Sequence, residues 1–153
     1  SISFESISLT GTLPTSIAAL SDLQVMQLAS NKYFGSIPSE FGFLSNIITL
    51  TLSSNSFSST LPSSLGLMNL YHLSVNANCI SGSIPSSIGL LTFMRQVGLQ
   101  RNCLSGTIPT SLGLLSQNLR FLSVDRNNLD ATIPSELCLL VDTVITLEPQ
   151  ENS

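Results

Sequence analysis

Tryptophan is absent, histidine occurs once, cysteine three times, and charged residues make up only 9% of the 153 positions, against roughly 25% in an ordinary soluble domain. Each scarcity excludes something. A single histidine, His72, leaves no cluster for a metal site and one possible centre for a Ser-His-Asp triad. No apolar run approaches the ~18 residues of a transmembrane helix, so the sequence holds no such span. Five basic residues and a net charge of −4 leave no broad basic surface for nucleic acid. With 42% hydrophobic residues and no charge blocks, the chain does not read as a disordered tail. Its length suits one domain with a sizeable core. What fills the chain instead is serine and threonine, 28 and 12 residues.

The order behind this composition emerges on aligning the prolines. Pro14, Pro38, Pro62, Pro85, Pro109 and Pro134 lie 24, 24, 23, 24 and 25 residues apart, each after Leu or Ile. Seven residues before every proline but the first stands an asparagine: Asn31, Asn55, Asn78, Asn102 and Asn127. Before each asparagine comes an apolar trio in L-x-x-L-x-L spacing, such as Leu23-Met26-Leu28 or Leu119-Leu122-Val124. A fixed period in the twenties with this pattern defines a leucine-rich repeat. The alternating apolar pair predicts the inward face of a short parallel strand. The asparagines are expected to turn inward and satisfy buried backbone groups of the adjacent coil. Proline should end a second short strand and start a 3-10 turn. Ala18, Gly42, Gly66, Gly89 and Gly113 fill the fourth place after proline, and Cys138 replaces them in the last coil.

The unit Asn102-Cys103-Leu104-Ser105-Gly106-Thr107-Ile108-Pro109-Thr110-Ser111-Leu112-Gly113 resembles the plant-type leucine-rich repeat of receptor-kinase ectodomains and polygalacturonase-inhibiting proteins. The resemblance covers nearly the whole chain. It implies an α/β solenoid, a right-handed superhelix with short parallel strands on its concave face and 3-10 or irregular structure on the convex side. Repeats account for residues 1–147, in about six units of 23–25 residues without an amino-terminal cap, and 148–153 reads as a polar tail. In the first coil Ile2 and Phe4 take the inward places, and Ile7 stands where asparagine is expected. The missing cap suggests a trimmed chain, because exposed terminal coils need one.

Catalytic chemistry is thinly represented. Nothing surrounds His72 with a triad or a metal set, paired carboxylates are missing, and the glycines follow the repeat rather than a phosphate loop. No catalytic residue, metal or cofactor is therefore assigned. Cys79 and Cys103 each follow a repeat asparagine, which stacks them on neighbouring coils with Cα atoms roughly 5 Å apart, within disulfide range. A bridge and a pair of free stacked thiols both remain open. Cys138 has no stacked partner. The odd count leaves the compartment open, and no N-x-S/T sequon occurs, which points away from a glycosylating route. A secreted or luminal location is preferred to the cytoplasm on the family resemblance.

The outward strand face is the surface a solenoid has free for binding. Coils two and three present uncharged residues there. Coil four presents Tyr71 and His72, and coils five and six present Arg95, Gln96, Gln100 and Arg101, then Arg120, Phe121, Asp125 and Arg126. All four arginines of the chain sit here. Stacked like charges suggest an anionic partner or pairing through Asp125, and an aromatic centre ringed by Arg and amides suits an interface. The sequence reading is a non-catalytic scaffold that binds another protein, a peptide or a polysaccharide through these residues. A constitutive subunit of a larger complex, a cell-wall-type enzyme inhibitor and an ice-binding protein are the alternatives. The last rests on hydroxyl columns flanking the prolines, Thr12, Ser36, Thr60, Ser83, Thr107 and Thr132.

Overall fold

The computed structural model describes residues 1–130, 132–140 and 143–146; the polar tail and Ala131 lie outside them. The chain winds through seven coils, each contributing one front strand. These strands are Ile2–Ser3, Val25–Gln27, Thr49–Thr51, His72–Ser74, Gln96–Gly98, Phe121–Ser123 and Val144–Thr146, and they form one parallel sheet in chain order. Register follows the repeat, so Leu50, Leu73, Val97 and Leu122 stack in one column and all four are buried. One column away point Thr49, His72, Gln96, Phe121 and Val144. The two-residue side-chain period thus sorts the core from the front face.

The asparagines complete the core as the pattern predicts. Asn102 Oδ1 accepts from the Ile80 N–H at 3.0 Å, and its Nδ2 donates to the carbonyls of Val75 and Leu99, both at 3.1 Å. Asn55, Asn78 and Asn127 repeat the arrangement. Each asparagine therefore serves the coil before its own. The residue before each one, Ser30, Ser54, Ala77, Arg101 or Arg126, holds a positive φ of 54° to 58°. That turn aims the amide inward, at a cost of about 1 kcal/mol for a non-glycine residue.

Each proline, with φ between −76° and −62°, leads into a 3-10 helix: η1 Thr15–Ala19, η2 Ser39–Phe43, η3 Ser63–Leu67, η4 Ser86–Leu90, η5 Thr110–Leu115 and η6 Ser135–Leu139. No α-helix occurs among the described residues, so the helical half of the solenoid is wholly 3-10. The repeat glycines are explained by close approach here. A Cβ on Gly66 or Gly89 would come within 2.4 or 2.3 Å of the Ser87 or Ser111 carbonyl oxygen in the next coil. Ser64, Ser87 and Ser111 lace the helices together by donating to the carbonyls of Ser39, Ser63 and Ser86.

Variation in coil length is absorbed on this side. After the short coil's η3, Met68 is extended with ψ 170°, where Leu44 and Leu91 have ψ 69° and 65°. The long coil instead lengthens η5 to six residues and adds Ser116 in helical geometry.

The second strands do not form one continuous face. Thr10–Gly11, Lys32–Gly35 and Ser56–Phe57 make one three-stranded sheet, and Ser81–Gly82, Cys103–Gly106 and Asn128–Leu129 another. Between them the Cys79 N–H donates to the Phe57 carbonyl and the Ser81 N–H to the Ser59 carbonyl, both at 2.8 Å, beside an isolated bridge of Thr60 to Ser81. The break falls where Ser59, with φ 72°, takes the place held by glycines with positive φ at Gly35, Gly82 and Gly106. At the first coil Ile2 packs against the core, whereas Phe4 and Ile7 are exposed at the end of the stack.

Candidate functional site

The front face of coils four to six collects every residue singled out from the sequence, but in two groups. On one flank the backbone stacks Tyr71, Arg95 and Arg120, the Arg95 N–H donating to the Tyr71 carbonyl and the Arg120 N–H to that of Arg95, both at 2.8 Å. Beside them runs the ladder His72, Gln96 and Phe121. On the other flank, the Arg101 N–H donates to the Asp125 carbonyl at 3.0 Å, and the Asn102 N–H to that of Arg126. Between the flanks lies the column Ser74, Gly98 and Ser123.

The first flank is an aromatic and cationic lip. Tyr71 stacks on Phe93 with ring centroids 5.8 Å apart, and the Arg95 guanidinium lies 5.4 Å above the Tyr71 ring. Such a cation–π contact orders the arginine without neutralising it. Arg120 is tethered through Nη1 to the Leu119 carbonyl at 3.0 Å, while Phe121 remains exposed. Burial holds the His72 imidazole below its usual pKa, opposed by a hydrogen bond with Gln96. Phe93 is the member that sequence reasoning missed. It precedes the strand, outside the repeat's outward positions, and its only signal was an aromatic two residues before an arginine.

The second flank is a shallow groove of about 490 Å³ lined in part by Asn76, Gln100, Arg101, Asp125 and Arg126. Asp125 Oδ1 accepts from Thr146 Oγ1 at 3.0 Å and from Ser123 Oγ at 3.2 Å, so its carboxylate is anchored by hydroxyls. Gly98 leaves the column between Ser74 and Ser123 without a side chain, and Gln100 Oε1 comes within 3.3 Å of where its Cβ would stand. That oxygen is buried with no hydrogen-bond partner. A buried acceptor left without a donor costs roughly 1–3 kcal/mol. Asn76 and Gly98, missed as site residues, shape this spot.

The cysteines sit apart from both flanks. Cys79, Cys103 and Cys138 are exposed free thiols. The register of the second sheet sets Cys103 opposite Ser81 rather than Cys79, because these strands are staggered by two residues relative to the repeat. The simple stacking inferred from their equivalent positions is therefore corrected. The hydroxyl columns of the second strands run across two small sheets rather than one.

Comparison with known proteins gives the following. A family model described as Leucine Rich Repeat matches residues 46–68, 69–91 and 118–140. No curated protein matches the chain. Among solved structures, the chain is similar to the plant peptide hormone receptor RGFR1 in complex with RGF2, at 30% identity and TM-score 0.90 over 94% of this chain and 23% of that one. It is also similar to the ectodomain of the Arabidopsis thaliana membrane receptor kinase GASSHO1/SCHENGEN3 in complex with CASPARIAN STRIP INTEGRITY FACTOR 2, at 33% identity and TM-score 0.88 over 92% and 17%. A third is the Arabidopsis receptor kinase HAESA in complex with the peptide hormone IDA and the co-receptor SERK1, at 34% identity and TM-score 0.88 over 92% and 24%. The chain thus spans about a quarter or less of the length of these receptors.

Proposed function

We propose that this chain, a leucine-rich-repeat protein of the plant type, is a non-catalytic recognition scaffold that binds another protein through the front face of coils four to six. One observation carries the reading: the exposed arginines and aromatics gather on this face, free of duties in the core, around a groove that holds an unpartnered amide acceptor. Arg95, Arg101, Arg120 and Arg126 supply charge-assisted donors for an anionic surface. Tyr71, Phe93 and Phe121 supply apolar contact area, and Gln96, Gln100 and Asp125 set register.

The ligand class that fits is a peptide or an extended segment of a protein. A chain laid along the groove presents amide N–H donors and carbonyl acceptors at the spacing of a strand to the polar side chains that line it. The structures named above include receptors in complex with peptide hormones, which supports the same class here. The reading places the chain on the extracellular side, as in the ectodomain it resembles.

The test is capture from native extract followed by titration of the identified partner against wild type and Arg120→Glu. The expected result is a loss of affinity of tenfold or more with the melting temperature unchanged within about 2 °C, because an exposed surface substitution costs within about 0.5 kcal/mol of stability. Parallel loss of binding and melting temperature overturns the assignment.

A further inference from the structure

The helical side carries a feature unrelated to the front-face site. Phe43, Leu67, Leu90, Leu114 and Leu139 occupy the fifth place after the proline in five successive coils, and each is 59% to 70% exposed. The stacking of η2 to η6, laced from η2 to η5 by the Ser64, Ser87 and Ser111 bonds, lines them into one apolar ridge. Nothing in the core requires them, since the next apolar residue in sequence, such as Leu44, Leu91 or Leu115, does the packing inside.

We propose that this ridge is the interface through which two copies of the chain associate, with Leu90 at the two-fold axis. Three observations favour a second copy over any other occupant. First, η3, η4 and η5 contain no charged residue, and Glu40 and Glu136 lie at the two ends of the ridge. In a chain with net charge −4, this neutral strip is where two copies meet with least repulsion. Second, a row of like side chains at constant spacing is complementary to itself, which is what an isologous contact demands. Whichever way the partner row runs, the middle rung, Leu90, faces its own copy.

Third, the area suffices. Five such side chains remove roughly 100 Å² each from water. Two copies together therefore bury roughly 1,000 Å², at the lower limit of a specific interface. Small size predicts a reversible dimer of micromolar affinity rather than an obligate one.

The experiment is sedimentation of the whole chain between 1 and 200 µM with reductant present, for wild type and for Leu67→Asn/Leu90→Asn/Leu114→Asn. The proposal expects a concentration-dependent dimer that persists in 0.5 M salt. It expects at least a tenfold rise in dimer Kd in the variant, with far-ultraviolet circular dichroism and melting temperature retained. A second measurement avoids any question of folding. In a background lacking the three native thiols, Leu90→Cys gives a disulfide-linked dimer on mild oxidation. A monomer at 200 µM overturns the proposal. So does a dimer unaffected by the ridge substitutions but abolished by Phe4→Asn/Ile7→Asn, which would place the contact at the end of the stack. Ridge-dependent binding of monomer to phosphatidylcholine vesicles overturns it in favour of a lipid surface.

Discussion

At the scale of single residues, backbone geometry decides what each position accepts. Ser59 holds φ 72° where other coils place glycine, so Ser59→Gly relieves a left-handed serine. It should raise stability by about 0.5–1 kcal/mol after the entropy gained by the unfolded chain is counted against it, as read from urea melts. Gly89→Ala acts the other way. Its Cβ would overlap the Ser111 carbonyl at 2.3 Å, and the same melts should show a loss of about 2–3 kcal/mol. His72 sets a pH dependence. Because burial lowers its folded pKa below the unfolded 6.5, the unfolded state binds more protons as pH falls through that value, and stability declines toward acid. His72→Gln should remove this part of the decline between pH 7.5 and 5.5. All three cysteines are exposed and free, so a thiol reagent should titrate three groups in the native protein.

At the scale of the element, the repeat was legible because core positions answer to few forces. The inward pairs, the asparagines and the prolines each follow from burial, backbone satisfaction or a fixed φ, and all of these are written in residue type. What escaped was whatever depends on how adjacent coils are offset. The two-residue stagger that sets Cys103 against Ser81 is a relation between coils, which equivalent positions in a repeat do not reveal. The asparagine ladder supplies an element-scale test. Asn102→Leu leaves the Ile80 N–H without its acceptor, while the Val75 carbonyl keeps the bond from Asn78 Nδ2. The expected cost is about 1–3 kcal/mol, with faster hydrogen exchange in coil four as well as in coil five, because the orphaned donor belongs to the earlier coil.

At the scale of the molecule, two faces divide the surface chemistry. The front face collects the arginines, and the helical side carries an apolar ridge whose three middle helices hold no charge. Sequence found the first because charge is scarce and its clustering conspicuous. It missed Phe93 and the unpartnered, buried acceptor of Gln100, since stacking and the packing over Gly98 are properties of neighbours. It missed the ridge because a leucine among leucines looks like core until its exposure is known.

The way the coils absorb length has a consequence for how such a chain can change. Five asparagine-to-proline segments span seven residues without exception, while the stretches leading from proline to the following asparagine vary. Both departures from the common period are taken up after the proline, at Met68 and at η5 with Ser116. Insertions and deletions should therefore be inherited unevenly. Removing Thr92, after η4, should leave the other coils in register and the protein folded. Removing Ser105, between Asn102 and Pro109, should shift the inward residues of that segment to the outside and fail selection for solubility. A library of single-residue deletions across coil five, sorted by soluble expression, would draw that boundary within one turn of the solenoid.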